Sequence, residues 1–493
     1  MHSEVGVDLS PTPLIEAVRG YRGGFIEIDT GIRVSAAQLQ AGIDSLAGQM
    51  RSLRLEPGDR VVFAISNGAS FPAVLTALLE RGASPVLAHA LTPPVELRRI
   101  AMRFGAKHIV CDRHSQQDLL AVCPVVNAIE CDPWLAAQWG AVDTTAPAFV
   151  TTIPATEATP LHQTSGTTGV PKIAVRPGAA AVAEAEHYIQ TSGIDHTDSI
   201  VVTSPMSHAY AYGMGFMVPM LSGARVVTMR EFKPQLLFQS FAEAGVTVFP
   251  AVPAMLEVIL FGVGDRLKNS PRTVFAAGAP LSERVAQKYQ DKSGTIVRPL
   301  YGTTETGGIT IAAANRTGGS GNGCVGAAMQ DVEASLRGSV PSDGKEQIQT
   351  LWIRSSSMMA GYLGEGGLDR SALQNGWFNT GDMARIDPNG SIHLSGRITE
   401  VINVGGMKVI PSEVEEVIAG LECVREVKVY AGNSPSGAQF VKAAVVAQQG
   451  IDDKTVREYC ASQLIYYKRP SAVLMLDALP KTPSGKVILG QLP

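Results

Sequence analysis

Apolar positions along the chain fall into short buried runs closed by turn residues, separated by stretches with helical spacing. In the first quarter the pattern predicts a helix from a Ser35 cap through 53, a Pro57-Gly58-Asp59 turn and a strand at 60–65. It continues with a helix at 70–80, a strand at 85–88, a helix at 94–104 and a strand at 107–110. Strands alternating with helices argue for a parallel α/β layer. Residues 143–160, rich in Thr, Ala and Pro, read as a linker or edge passage. The alternation resumes with strands at 200–203, 225–229, 246–249, 273–277 and 296–300, and with helices such as 234–244 and 282–289. From about Gln347 the pattern changes to short strands and turns typical of antiparallel sheet. Pro388-Asn389-Gly390 reads there as a hairpin turn between 384–387 and 391–394. After Arg397 a compact α+β pattern follows: a helix at 412–421, strands at 427–430 and 442–446, a helix at 454–464 and a strand at 473–476. The expected fold is α/β: a large multi-layer N-terminal domain, 1–397, with mixed sheets and flanking helices, and a small mobile α+β C-terminal domain, 398–493.

Composition narrows the class without naming a chemistry. The 493 residues suggest about three units of ordinary size. At 45% hydrophobic and 17% charged, the chain can bury a large core and is not disordered. A net charge of −4, with no run of Lys and Arg, gives no pull toward nucleic acid or anionic membrane. Cysteines 111, 123, 131, 324, 423 and 460 form no Cys-x-x-Cys pair, so neither a structural zinc nor a disulfide framework is suggested. Residues 1–13 carry acids and no apolar core, unlike a signal peptide. The most apolar stretch, 209–229, is interrupted by Gly213, Gly215, Pro219, Ser222, Gly223 and Arg225, so no membrane span is expected. The expectation is a cytoplasmic protein of a reducing compartment.

The run Thr164-Ser165-Gly166-Thr167-Thr168-Gly169-Val170-Pro171-Lys172 changes this picture. Four hydroxyls and two glycines fill its first six positions, and a lysine closes it. Glycine lets successive N–H groups face one concavity, the hydroxyls add donors and the lysine adds charge, which suits a polyphosphate. It is not a Walker A loop, whose Gly-x-x-x-x-Gly-Lys spacing occurs nowhere in the chain. Tyr301-Gly302-Thr303-Thr304-Glu305 follows a predicted strand, where α/β sheets bind ligands. An aromatic there can stack on a base, a hydroxyl can reach a phosphate, and a carboxylate can hold a hard cation. Gly278-Ala279-Pro280 ends another strand, Thr380-Gly381-Asp382 supplies a second carboxylate, and Pro480-Lys481-Thr482-Pro483-Ser484-Gly485-Lys486 presents a lysine from a loop.

Together and in this order, these runs resemble the motifs of the AMP-forming adenylating enzymes: acyl- and aryl-CoA synthetases, adenylation domains and luciferases. The resemblance implies a phosphate loop at Thr164, Ser165, Gly166, Thr167, Thr168, Gly169 and Lys172. It implies that Tyr301 packs on adenine beside Gly302, that Gly278, Ala279 and Pro280 read the base through the backbone, and that Thr304 contacts the α-phosphate. Glu305 would hold Mg²⁺, Asp382 would take both ribose hydroxyls, and Arg397 would touch the nucleotide. Lys486 would bridge the substrate carboxylate and the α-phosphate. Gly405 and Gly406 would approach the thiol acceptor, while Lys408 would face phosphate or solvent. His208 would sit at the acyl site, where a charge change near neutral pH is open to it. The chain departs from the family pattern at Thr399, where Asp or Lys is usual at the hinge, and at Ile173-Ala174, where Gly is common.

The implied activity is an ATP- and Mg²⁺-dependent acid–thiol ligase. It would form an acyl-AMP with release of pyrophosphate and pass the acyl group to CoA, with a phosphopantetheine carrier protein as the alternative acceptor. A catalytically silent nucleotide-binding module is the alternative of another class. Residues 207–213 hold no carboxylate to pair with an amine, which favours an aliphatic or aryl acid; Ala209, Ala211, Gly213 and Gly215 would leave room for it. Gly321-Asn322-Gly323-Cys324-Val325-Gly326 matches a dinucleotide fingerprint in letters but lacks the strand before it and the helix after it.

Overall fold

A computed structural model describes residues 9–131, 133–143, 157–164, 172–262, 267–279, 281, 283–314, 323–340, 348–364, 367–397, 402–409, 411–435, 437–448, 450–480, 487 and 489–493. One mixed sheet carries the parallel strands Gly24–Glu27, Arg225–Thr228, Ser199–Val202, Val248–Ala251, Thr273–Ala276 and Val297–Thr303 in that spatial order. It continues antiparallel through Gly307–Ile311, Cys324–Ala328, Ser391–Arg397, Trp377–Ile386, Ile348–Ser355 and Val332–Val340. Past its parallel strands this sheet turns antiparallel at Gly307, well before residue 347. The Tyr301-Gly302 bulge and Gly307 let the chain turn back on itself there.

A second sheet orders Gly361–Gly364, Lys172–Val175, Leu161–Thr164, Ser84–Leu87, Arg60–Ala64, His108–Cys111, Leu135–Ala141 and Val125–Cys131. Its centre is parallel and its flanks are antiparallel. The helix Ser70–Glu80 is buried from Ser70 through Leu79, as its apolar residues on every face require. Ser35 closes a capping box with Gln38 at the start of Ala36–Met50, accepting the Gln38 N–H at 3.2 Å; such a cap is worth ~1 kcal/mol.

The apolar stretch after residue 208 does not cross anything. It forms a π-helix at Tyr212–Met217 and a short helix at Val218–Ser222, every residue of the former buried. No helix among the described residues is long and apolar enough to span a membrane. The small domain packs Pro411–Ala419 and Asp453–Gln463 on the strands Val424–Asn433, Gln439–Ala447 and Ala472–Met475. Its own core includes Ile402, Val414, Ile418, Val429, Val445 and Cys460.

Candidate active site

The C-terminal ends of the parallel strands and the small domain enclose a cavity of about 590 Å³. Thr164 and Lys172 stand opposite each other at the open end of an antiparallel pair and both line it. The residues between them, Ser165, Gly166, Thr167, Thr168 and Gly169 included, lie outside the described residues. Lys172 Nζ sits 4.8 Å from the centre of the Tyr362 ring, and the Tyr362 hydroxyl donates to Glu305 Oε1 at 2.8 Å. One aromatic thus spaces the lysine from the carboxylate on the cavity wall.

The turn after Tyr301 is fixed from beneath. Thr303 and Thr306 hydroxyls lie 3.0 Å apart, and the Ser357 hydroxyl donates to Thr306 O at 2.7 Å. A Cβ on Gly302 would stand 2.4 Å from Gly307 O, so only glycine fits behind the tyrosine. This turn presents Thr304 and Glu305 to the cavity. Glu305 is half-buried and lines the cavity, and a carboxylate there is a fitting ligand for a hard cation that keeps most of its other ligands from water and phosphate. The Tyr301 hydroxyl donates to Asp382 Oδ2, which joins the Tyr-Gly-Thr-Thr-Glu and Thr-Gly-Asp segments directly. Asp382 faces Arg397 in the strand ladder; the Arg397 side chain lies outside the described residues.

The small domain closes the cavity with a two-stranded hairpin, Ile402–Val404 and Met407–Val409. Its turn uses positive φ at Gly405 (58°) and Gly406 (91°). Asn403 Nδ2 donates to Gly278 O at 2.6 Å, and the Gly406 N–H donates to Asn403 Oδ1 at 2.9 Å. A Cβ on Gly278 would lie 3.0 Å from the Gly406 Cα, so two glycines from the two domains meet backbone to backbone. Ala279 is half-buried, and Pro280 lies outside the described residues. So do Thr399, the Lys408 side chain and Lys486. A second cavity of about 600 Å³ runs beneath this hairpin and shares Gly278, Gly406, His208 and Tyr467 with the first.

His208 lines both cavities beside His89, Tyr466 and Tyr467, with ring centres 5.5–6.0 Å apart. Burial, helped by the Lys468 charge, lowers the His208 pKa from 6.5 to about 4. Burial, then the charges of His208 and Arg113, lowers His89 to about 3. Both rings are neutral near pH 7, so the charge change near neutrality open to His208 from sequence is closed by its surroundings. An unfolded chain takes up protons at these rings as the pH falls through 6.5, and the folded chain does not. Their stabilising contribution is full above that value and declines toward pH 4, by about 1.4 kcal/mol per pH unit per ring. The thermal midpoint is expected to drop on acidification through this window, less steeply in His208→Phe; equal slopes would contradict it.

Two expectations about the acyl side change. Gly213 and Gly215 leave no room for substrate: a Cβ on Gly213 would stand 2.7 Å from Glu184 Oε1, and one on Gly215 2.8 Å from Val202 Cγ1. The glycines admit those side chains instead; Ala209 lines the nucleotide-side cavity, and the buried Ala211 lines the second. A carboxylate does reach this region, from another element: Glu184 of the helix Gly178–Ser192 lines the cavity, ion-paired to Arg176 at 2.6 Å.

Sequence reasoning also missed the contact between the domains. Lys468 Nζ lies 2.7 Å from Glu96 Oε1 and 3.1 Å from Glu413 Oε2, all three side chains at most 14% exposed and all three lining the cavity. Burial alone would lower the lysine pKa, but the charges of Glu413 and Glu96 outweigh it and hold it well above the ordinary value. Arg103 Nη1 adds a second cation 3.3 Å from Glu413.

A large α/β body with a small α+β domain closing on a cavity at the strand ends is the architecture of the AMP-forming adenylating enzymes. The chain belongs to the AMP-binding enzyme family: that family's model matches residues 15–363, and the model of the AMP-binding enzyme C-terminal domain matches residues 413–486. Among curated relatives, it is 27% identical over 484 residues to the long-chain-fatty-acid–CoA ligase FadD13 of Mycobacterium tuberculosis, covering 94% of this chain and 93% of that protein. It is 26% identical over 497 residues to 4-coumarate–CoA ligase 5 of Oryza sativa subsp. japonica, covering 96% and 91%. The fold is shared with the o-succinylbenzoate CoA synthetase MenE of Bacillus subtilis, at a TM-score of 0.80 with 22% identity and 98% of each chain covered. It is shared also with the amide bond synthetase McbA of Marinactinospora thermotolerans, at 0.77 with 22% identity, covering 96% and 97%.

Proposed function

We propose that this chain is an AMP-forming acid–CoA ligase acting on a carboxylic acid without an amine. The observation that carries the reading is the meeting of two cavities at Gly278 and Gly406, one lined by Thr164, Lys172, Thr304 and Glu305, the other running out beneath the small domain. The first suits a nucleotide and an acid, the second the approach of a thiol. The CoA ligases among the relatives support that choice of acceptor.

In the first step a carboxylate oxygen attacks the α-phosphate of ATP and pyrophosphate leaves. Lys172 and the hydroxyl loop hold the phosphates, Thr304 contacts the α-phosphate, and Asp382 and Arg397 hold the ribose side while Tyr301 packs on the base. Mg²⁺, held through Glu305, would neutralise phosphate charge. Lys486 supplies positive charge where negative charge gathers on carboxylate and phosphate. In the second step the thiol displaces AMP, and the Gly405-Gly406 turn, by admitting a close backbone approach, guides it past His208. The neutral His208 adds no charge to the acyl side, and Glu184 on that wall is already paired with Arg176. Exchange of labelled pyrophosphate into ATP, run with aliphatic, aryl and amino acids, tests this. Simple acids are expected to drive exchange; stronger exchange with a standard amino acid would overturn the amine-free reading.

The reading further places the domain boundary at 397/398 and the hinge at Thr399, two residues past the strand that carries Arg397. Thr399→Pro fixes φ near −65° and biases the preceding residue toward extended backbone, so one domain arrangement is lost. Pyrophosphate exchange is expected to survive within about tenfold, or ~1.4 kcal/mol, while thiol-dependent AMP release falls much further. Unchanged overall turnover in a folded variant would move the pivot elsewhere.

A further inference from the structure

The wall of the cavity on the acyl side is polar, and a plain hydrocarbon acid does not explain why. Glu184 and Arg176 are each 1% exposed. Glu184 Oε2 accepts from Arg176 Nη2 at 2.6 Å and Oε1 accepts the Gly308 N–H at 2.9 Å. Arg176 Nη2 also donates to Ser357 O at 3.2 Å. Three glycines make way for this pair and its neighbour. A Cβ on Gly307 would lie 2.8 Å from Glu184 Cδ, one on Gly213 2.7 Å from Oε1, and one on Gly308 2.4 Å from the Tyr188 hydroxyl. Tyr188 lines the cavity with Glu184. The Tyr210 hydroxyl, also on the cavity wall, is buried and has no partner among the described residues, nor do Arg176 Nε and Nη1 or the Tyr212 hydroxyl behind it. Groups of this kind are costly to bury unless a partner meets them.

The charge balance says what kind of partner. Arg176 cancels Glu184, so the wall offers acceptors and donors without net charge. An ammonium or a second carboxylate would unbalance it. A neutral protic group would not: it can donate to a carboxylate oxygen or bond to a phenol hydroxyl, and Glu184 and Tyr210 both line the cavity.

Resting on the ligase reading above, we propose that the acid carries a neutral hydrogen-bond donor, a hydroxyl or ring N–H, and that Glu184, oriented by Arg176, selects for it with Tyr210.

The test is pyrophosphate exchange with matched acids: benzoate and its para-hydroxy form, phenylpropanoate and its para-hydroxy form, hexanoate and its omega-hydroxy form, and phenylacetate against indole acetate. In at least one pair the protic member is expected to have a kcat/KM at least about tenfold higher, the discrimination that one hydrogen bond to a charged group supports. In Tyr210→Phe, which removes one hydroxyl, that ratio should shrink. In the double variant Arg176→Met with Glu184→Gln, which removes both charges together, it should fall to within about twofold of unity. Equal or better exchange with the plain acid in every pair, or a wild-type preference left intact in the variants, overturns the proposal. Exchange without preference counts against this inference alone, whereas no exchange with any acid counts against the ligase reading on which it rests.

Discussion

Lys486→Ala is expected to lower acid-dependent pyrophosphate exchange by about 10²–10³-fold, the usual loss when one donor aimed at developing charge is removed. It should leave thioester formation from preformed acyl-adenylate within about tenfold of the wild type. The adenylating transition state gathers negative charge on the carboxylate and on the α-phosphate at once, and a lysine on a Gly- and Pro-bounded loop can serve both as a compact point charge. The match to the C-terminal domain model runs through residue 486, so this lysine lies within the matched span. In the second step the acyl–phosphate anhydride is already made and the thiol attacks the acyl carbon, so the same charge has less to do. Equal losses in the two half-reactions would mean that Lys486 acts in both, and the division of labour between the hairpin and the lysine loop would be wrong.

The second large effect is expected at Lys468. It is the cation between Glu96 of the body and Glu413 of the small domain. Glu96 Oε2 also accepts the Ile465 N–H at 3.1 Å, so the same carboxylate ties down the turn that carries the lysine. In Lys468→Met two buried carboxylates face each other, with the half-buried Arg103 near Glu413. Removing one partner of a buried pair costs ~3–5 kcal/mol, and the cost falls on the docked arrangement because that arrangement brings Glu96 and Glu413 together. Thiol-dependent AMP release should drop by ~10²-fold or more, with a smaller loss in pyrophosphate exchange, and Lys468→Arg should recover part of it. The split is read by assaying the two half-reactions separately. Equal rates in wild type and Lys468→Met would show that the docked arrangement does not limit the second step.

How far the sequence shows all this depends on the range of the interaction. The helices Ser70–Glu80 and Pro94–Phe104 and the strand Arg60–Ala64 are legible because their apolar spacing and their turn residues are local. The hairpin Val125–Cys131 with Leu135–Ala141 is not, since its burial alternates only weakly. The Ala-rich helix Gly178–Ser192 has little amphipathic contrast to give it away. The π-helix at Tyr212–Met217 looks from its glycines like an open acyl pocket, and only tertiary packing reveals that Glu184 and Val202 occupy the space. In the site, the motifs around Thr164, Tyr301 and Asp382 are legible because a few residue types at short spacing carry the chemistry. Lys468 and Glu96 are 372 residues apart, and no local pattern pairs them. Arg176 and Glu184 are only eight apart, but their meaning comes from the glycines of two other elements that let them be buried. A lone arginine just after an Ile-Ala-Val strand was the available signal.

The central claim is that one cavity makes an acyl-adenylate and then passes the acyl group to a thiol. The direct measurement is a quenched single turnover with ATP labelled at the α-phosphate, an acid found active by exchange, and CoA withheld and then added. The account predicts labelled acyl-AMP in an amount matching the enzyme, with pyrophosphate released, before CoA; on adding CoA, that species should disappear as AMP and acyl thioester appear together. Formation of ADP, or acyl-AMP that persists unchanged after CoA is added, would contradict it.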